Sequence, residues 1–251
     1  MTQGKSLNHR IAVVTGASRG LGRGVAEALA GRGAQVVAIA RREGPLAALA
    51  REVPGVVAAP GDAADEDVAE RTFARYDPDI VVLCAGAMPV LGALQDQTWA
   101  GFLTNFEVDA KSAFVWLRHA LRRPVKRGGH VVVVSSGAAL RGSPVSGGYA
   151  PAKRAQWFLA DYAKTESARL GRELLVHCVL PQLNPSTELG RAGIRAYAER
   201  AGITPEAFAK RFDPPLTPAI MGESLAQLVE SPERFSQLAY NVGGGGIAEI
   251  G

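Results

Sequence analysis

The sequence predicts an α/β fold: one doubly wound domain over residues 1–251, with helices on both faces of a seven-stranded, mostly parallel sheet. Three observations carry this expectation. Apolar runs of strand length, at residues 11–15, 35–40, 56–59, 80–84, 130–135, 174–180 and 238–242, alternate with helix-like segments. Their hydrophobicity is continuous rather than alternating, as strands buried on both faces read. The first run ends in a glycine-rich turn that opens into an amphipathic stretch, which is how a βαβ unit begins.

Taken in order, strand 11–15 feeds the turn and a helix over 22–31, and a further helix begins near Asp65. Long helices are expected at 99–123 and 149–170, and a last one at 221–230. The two long helices carry apolar residues on more than one face, including Phe114, Trp116, Trp157 and Phe158, which fits burial within the chain or against another subunit. The segment 181–218, with six prolines, is far longer than an ordinary helix–strand connection. Its spacing over 188–200 and 205–212 predicts a small helical lid at about 183–215, with a disordered connection as the alternative. Such a lid sits beside the carboxyl ends of the strands, where open α/β sheets bind ligands.

Composition narrows the function classes. Hydrophobic residues make up 47% and charged residues 21%, ordinary for a globular protein and unlike a disordered one. The net charge of +4 is scattered, and its densest group, 118–127, reads as a helix end rather than a nucleic-acid surface. Cys84 and Cys178 lie in separate apolar runs without a C-x-x-C pattern, so buried thiols in a reducing compartment are expected rather than a disulfide. The four histidines form no ligand-spaced cluster, and no metal is expected. With no membrane-length apolar run and no signal-like apolar N-terminus, the expectation is a cytoplasmic protein without membrane or nucleic-acid partners.

The chemistry is concentrated in a few motifs. Thr15-Gly16-Ala17-Ser18-Arg19-Gly20-Leu21-Gly22 joins the first strand to a helix. Gly16 suits the tight turn, Gly20 the approach of backbone to a pyrophosphate, and Gly22 close helix packing, while the helix N-terminus offers N–H groups to the anion. After the second strand stand Arg41 and Arg42, where a carboxylate would hold a ribose 2′-hydroxyl. Guanidinium groups instead suit a 2′-phosphate, which favours NADP(H), and Arg19 can reach the same group. Asp62, followed by Ala63, either accepts from an adenine amino group or caps the next helix. Cys84-Ala85-Gly86 closes the fourth strand with small residues, suiting either a close-lying ligand or a simple turn.

Tyr149 and Lys153 are four residues apart, on one face of a helix. Bringing a phenol from about 10 to near 7 takes roughly 4 kcal/mol, which a neighbouring ammonium in a dry site can supply. Ser136 ends the fifth strand thirteen residues before the tyrosine, placed to hydrogen-bond a carbonyl while Tyr149 delivers a proton. Ser135 substitutes if the register slips by one.

Together these residues resemble the short-chain dehydrogenase/reductase family, from Arg10 to about Pro181 and again, more weakly, over 238–244. The resemblance implies a Rossmann-like fold, Tyr149 as general acid/base, and Ser136 orienting the carbonyl or hydroxyl. It implies that Lys153 binds the nicotinamide ribose while acidifying the tyrosine, and that Arg41 selects NADP(H) with Asp62 at the adenine. Pro181, Gln182 and Leu183 fall in its cofactor-binding region, and a homodimer or homotetramer is implied through the two long helices. The chain also departs from the family. Asp109 stands where a helix asparagine usually serves a proton relay, with Asn105 one turn earlier as a weaker substitute; Leu83-Cys84 replaces Asn-Asn, and Gln182 replaces a glycine.

The resulting expectation is an NADP(H)-dependent oxidoreductase interconverting a small-molecule carbonyl and a secondary alcohol. Substrate choice would come from residues 87–94, 138–148 and the lid, whose Ile194, Tyr197, Phe208 and Phe212 suit a partly apolar substrate or simply pack the lid down. The altered asparagine position supports a rival, a weakly catalytic NADP-binding sensor or assembly protein. A dehydratase or epimerase of the same family is a third possibility, disfavoured by the short C-terminal region.

Overall fold

The computed structural model describes residues 6–122, 125 and 128–250. Its centre is a sheet of eight strands: β1 (Ile11–Thr15), β2 (Gln35–Ala40), β3 (Val56–Pro60), β4 (Ile80–Leu83), β5 (His130–Val134), β6 (Leu175–Pro181), β7 (Ala239–Gly243) and β8 (Gly246–Glu249). They lie in the order β3-β2-β1-β4-β5-β6-β7-β8. The first seven pair in parallel and match the expected runs; β8, which the sequence reading does not include, returns antiparallel on β7. Gly243 pairs with Gly246 across a Gly244-Gly245 turn, a connection short enough for a hairpin, and Ile247-Ala248-Glu249 is too weakly apolar to read as a strand.

Alternation along each strand explains the unbroken hydrophobic runs. Ala12 and Val14 of β1 join one core and Val13 the other; Val36 and Ala38 of β2 part from Val37 and Ile39 in the same way. The first core is covered by α1 (Gly20–Gly31), α2 (Glu43–Glu52) and α10 (Pro218–Glu230), the second by α3 (Glu66–Tyr76), α5 (Lys111–Arg122) and α7 (Tyr149–Arg169). Helices α1 and α10 meet backbone to backbone, because a Cβ on Gly222 would stand 2.2 Å from the Gly24 carbonyl oxygen.

The helix expected over 99–123 is divided into α4 (Trp99–Asn105), a π-helical turn (Phe106–Ala110) and α5. Arg123, Pro124, Lys126 and Arg127, in the basic stretch, lie outside the described residues. Single π turns commonly sit at functional positions, and this one carries Asp109, fully buried. The first helix starts at Gly20, two residues earlier than the spacing predicts. Helix α7 starts on Tyr149 itself, and its N-cap Gly148 lies so near α4 that a Cβ there would be 1.8 Å from the Phe102 carbonyl oxygen. Pro151 falls in the first turn of α7, where its missing N–H breaks no helical bond. One helical turn, α6 (Ala138–Arg141), interrupts the Gly- and Ser-rich loop before it.

The long proline-rich connection, the expected lid, is ordered and helical: α8 (Glu188–Ala201), α9 (Pro205–Ala209) and a 3₁₀ turn (Lys210–Phe212). Thr187 and Thr204 cap the two helices through their hydroxyls. Ile194, Ala198 and Phe208 form a small core of their own, with Tyr197 and Phe212 packed against it. Among the described residues no helix is long and apolar enough to cross a membrane, and no cluster of His, Cys, Asp or Glu could hold a metal ion.

Candidate active site

The carboxyl ends of the central strands open into a cavity of ≈ 1280 Å³, bounded by the glycine turn on one side and the lid on the other. The turn is shaped for close approach. Gly16 has φ +68°, and a Cβ on it would lie 2.8 Å from the Cys84 carbonyl oxygen; a Cβ on Gly22 would lie 2.4 Å from the Gly16 oxygen. Thr15 ties this turn to the end of β4, its hydroxyl oxygen accepting from Cys84 N at 3.0 Å and Ala85 N at 3.2 Å. No side chain caps the N-terminus of α1, so its first N–H groups remain for a ligand. Ser18, Arg19, Gly20, Leu21, Arg41, Arg42, Asp62, Ala63 and Cys84-Ala85-Gly86 all line the same cavity.

Asp62 does not cap α3, contrary to one of its two expected roles. The cap is Asp65, which accepts from Asp67 N at 3.0 Å, while Asp62 closes its own turn on Ala64 N at 2.9 Å. Its other oxygen lies 3.9 Å from Arg41. Arg19 reaches across the cavity mouth to pair with Glu188 at the start of the lid.

The expected catalytic residues come together at the floor. Tyr149, Ser136, Lys153 and Asp109 line one cavity with the glycine turn, and the Lys153 ammonium lies 5.5 Å from the centre of the Tyr149 ring. Ser135 is not a substitute for Ser136: it is buried and its hydroxyl donates to the Lys153 carbonyl at 2.7 Å, tying β5 to α7. Asp109 turns inward from the π turn to ion-pair with Lys153 at 3.0 Å, and its second oxygen accepts from Ala87 N at 3.0 Å and Asn105 Nδ2 at 3.1 Å. Asn105 therefore supports Asp109 rather than replacing it.

The electrostatics differ from the simple acidified phenol that the Tyr149–Lys153 spacing suggests. Burial pushes the Tyr149 phenol above its ordinary value. Lys153 and Ser136 pull it back, while Asp109 and Cys84 push it further up, and the net direction is upward. Burial opposes the Lys153 ammonium, but the Asp109 carboxylate, together with Tyr149 and Cys84, outweighs it and holds the ammonium above the usual lysine range.

Two expected cofactor residues have structural partners as well. Gln182 Nε2 donates to the Phe212 and Pro214 carbonyls at 3.2 and 3.1 Å, anchoring the far end of the lid, and Leu183 packs against the lid core. Pro181 lines the cavity beside them. Other site residues escaped the sequence reading. Gln156, three residues beyond Lys153, joins the buried cluster; its i,i+3 spacing was a usable signal. Asn184 is buried at the cavity wall, its Oδ1 accepting from Ser186 N and Oγ, both at 2.8 Å. The β7–β8 hairpin also lines the cavity, and no local pattern announces that.

Comparison with known proteins agrees with this construction. A family model described as short chain dehydrogenase matches residues 10–193. L-xylulose reductase of Bos taurus is 31% identical over 186 residues, covering 73% of this chain and 75% of that protein. Carbonyl reductase (NADPH) 2 of Sus scrofa is 31% identical over 184 residues, covering 72% and 74%. A solved structure from Beutenbergia cavernae, assigned as an NAD(P)-dependent gluconate 5-dehydrogenase with bound NADP, superposes with a TM-score of 0.81 at 26% identity over 96% of this chain and 98% of that one. The glycine turn on β1, the Ser136, Tyr149 and Lys153 set and the sheet order thus meet in a chain that belongs to the short-chain dehydrogenase family.

Proposed function

We propose that the protein is an NADP(H)-dependent oxidoreductase that interconverts a carbonyl and a secondary alcohol, with Tyr149 as the proton-transferring group. One observation carries the reading: the Tyr149 hydroxyl, Ser136 and Lys153 share a single cavity with an anion-cradling glycine turn. The residues fit a dinucleotide phosphate. The turn leaves no room for side chains at Gly16 and Gly22, α1 presents uncapped N–H groups, and Arg41 and Arg42 stand at the rim. When bound, that cofactor exchanges hydride with the substrate carbon. The chain's own residues do the rest. Ser136 holds the substrate oxygen by a hydrogen bond, and the Tyr149 O–H gives it a proton. The lid, with Leu183, Leu189, Tyr197 and Phe212 facing the cavity, excludes water and suits a partly apolar small molecule.

The NADP-bound relative and the name of the porcine reductase agree with the coenzyme assignment. The free thiols Cys84 and Cys178 suit a reducing compartment, and we place the protein in the cytoplasm. A second reading, cofactor binding with little turnover, is favoured by the commitment of Lys153 to Asp109. Tyr149→Phe separates the two. Under the oxidoreductase reading it lowers NADPH-dependent carbonyl reduction by about 10² to 10⁴-fold while NADPH binding, followed by fluorescence titration, stays close to that of the unmodified protein. An unmodified protein that binds NADPH yet reduces nothing in a broad carbonyl panel leaves the binding reading standing.

A further inference from the structure

Lys153 is surrounded by three oxygens of the chain itself. Its ammonium ion-pairs with Asp109 Oδ1 at 3.0 Å and donates to Gln156 Oε1 at 3.0 Å and to the Val134 carbonyl at 3.3 Å. Three acceptors match the three donors of an ammonium group. The cluster is closed from the other side too, because Gln156 Nε2 donates to the Asp109 carbonyl at 2.8 Å and Ser112 Oγ donates to the same oxygen at 3.0 Å. Lys153, Asp109 and Gln156 are all nearly inaccessible to water. Asp109 is held in place by the Ala87 N–H and the Asn105 amide, and a Cβ on Gly86 would lie 2.9 Å from its Oδ1. The carboxylate is therefore built in, with its position fixed from three elements.

We propose that Asp109 is a positioning residue that holds Lys153 in this closed, charge-neutral cluster and so keeps the Tyr149 hydroxyl a proton donor at neutral pH, deferring alcohol oxidation to more alkaline pH. The inference rests on the oxidoreductase reading above and gives it a pH dependence. In reduction the carbonyl carbon gains hydride, its π pair moves to oxygen, and the Tyr149 O–H bond breaks to protonate that oxygen; the phenolate then recovers a proton from water. Oxidation needs the reverse, a phenolate that removes the alcohol proton as hydride leaves for the oxidised nicotinamide. A lone ammonium beside the ring favours that phenolate, whereas an ammonium already neutralised by a carboxylate does so far less. The other titratable groups facing the pair are Cys84 at the end of β4 and Cys178 in β6, whose thiols burial pushes up to about 11 and about 12, so both are neutral near pH 7. Asp109 and Lys153 are thus the charges that set the balance, and Tyr149 is the group they act on.

The test is spectroscopic and needs no substrate. Phenolate absorbance is titrated in the cofactor-free protein, in Asp109→Asn, and in each of these carrying Tyr149→Phe, so that subtraction isolates Tyr149. In the unmodified protein the Tyr149 phenolate is expected only at clearly alkaline pH, and Asp109→Asn is expected to move it downward by about one to two pH units. Gln156→Leu, which opens the cluster without changing its charge, is expected to move it less. In turnover, the pH at which alcohol oxidation rises should fall by a similar amount in Asp109→Asn. A Tyr149 phenolate near pH 7 in the unmodified protein overturns the proposal without any variant having to fold, and so does an Asp109→Asn titration that coincides with the parent. A protein that shows the shift but reduces no carbonyl fails the functional reading and keeps only the electrostatic part of this one, the hold of Asp109 on Lys153 and Tyr149.

Discussion

Arg41 and Arg42 leave the end of β2 at the cavity rim, where Asp62 lies 3.9 Å from Arg41. A 2′-phosphate would find two guanidinium groups there with little competition. Replacing both by alanine is expected to weaken NADPH binding about 10- to 100-fold, as for the loss of charged hydrogen bonds, and to leave NADH binding little changed. Equal losses for both coenzymes in fluorescence titrations would show that the arginines do not read the phosphate. At this scale the site was legible wherever chemistry follows local spacing. Tyr149 and Lys153 share a helix face, and Gly16 to Gly22 share a turn. Asp109 was visible as a departure, but its inward aim was not, because a π turn and contacts from Ala87 and Asn105 decide it. The raised Tyr149 phenol was illegible because four residues of spacing say nothing about how deeply the ring is buried, the main cause, or about Asp109 beside the lysine.

Helices α5 and α7 leave large apolar side chains in water: Phe114 is 48% exposed, Phe158 48% and Tyr162 60%. Exposed aromatic patches of this kind mark interfaces, and we propose that a second copy of the chain covers them. Phe158→Glu is expected to lower the mass measured by light scattering from a multiple of the chain mass to that of one chain; an unmodified protein already at one-chain mass ends the idea. The elements themselves were mostly readable. Seven strands stood out because most are buried on both faces and so read as continuous apolar runs, and the helices of the long connection because of their apolar and charged spacing over 188–200 and 205–212. The break between α4 and α5 was hidden, since a π turn keeps the apolar spacing of a continuous helix over the residues that flank it. Helix α2, with Gly44 and Pro45 in its first turn, carries little helical signal and is held by Leu46 and Leu49 in the core.

Across the molecule, the far end of the sheet holds buried histidines. Burial pushes the His130 imidazole down to about 4, with Arg10 and His177 acting the same way, and burial also lowers His177. An unfolded histidine titrates near about 6.5. Because the folded value is the lower one, the unfolded chain binds more protons between the two, so this contribution to stability is present above about pH 6.5 and is lost as the pH falls toward 4. For His130 the full loss amounts to about 3 kcal/mol. Urea unfolding at about pH 7.5 and about pH 4.5 should show the drop, and His130→Gln should flatten it; an identical drop in the variant would assign the acid sensitivity elsewhere. The outermost strands have a different consequence. The β8 border is only four residues long and bears Glu249, and the β3 border closes on Pro60, which has no N–H to offer. Short, charged or proline-ended margins resist recruitment of stray chains. The fold can therefore carry a long hydrophobic sheet through crowded surroundings without seeding cross-β growth from either flank.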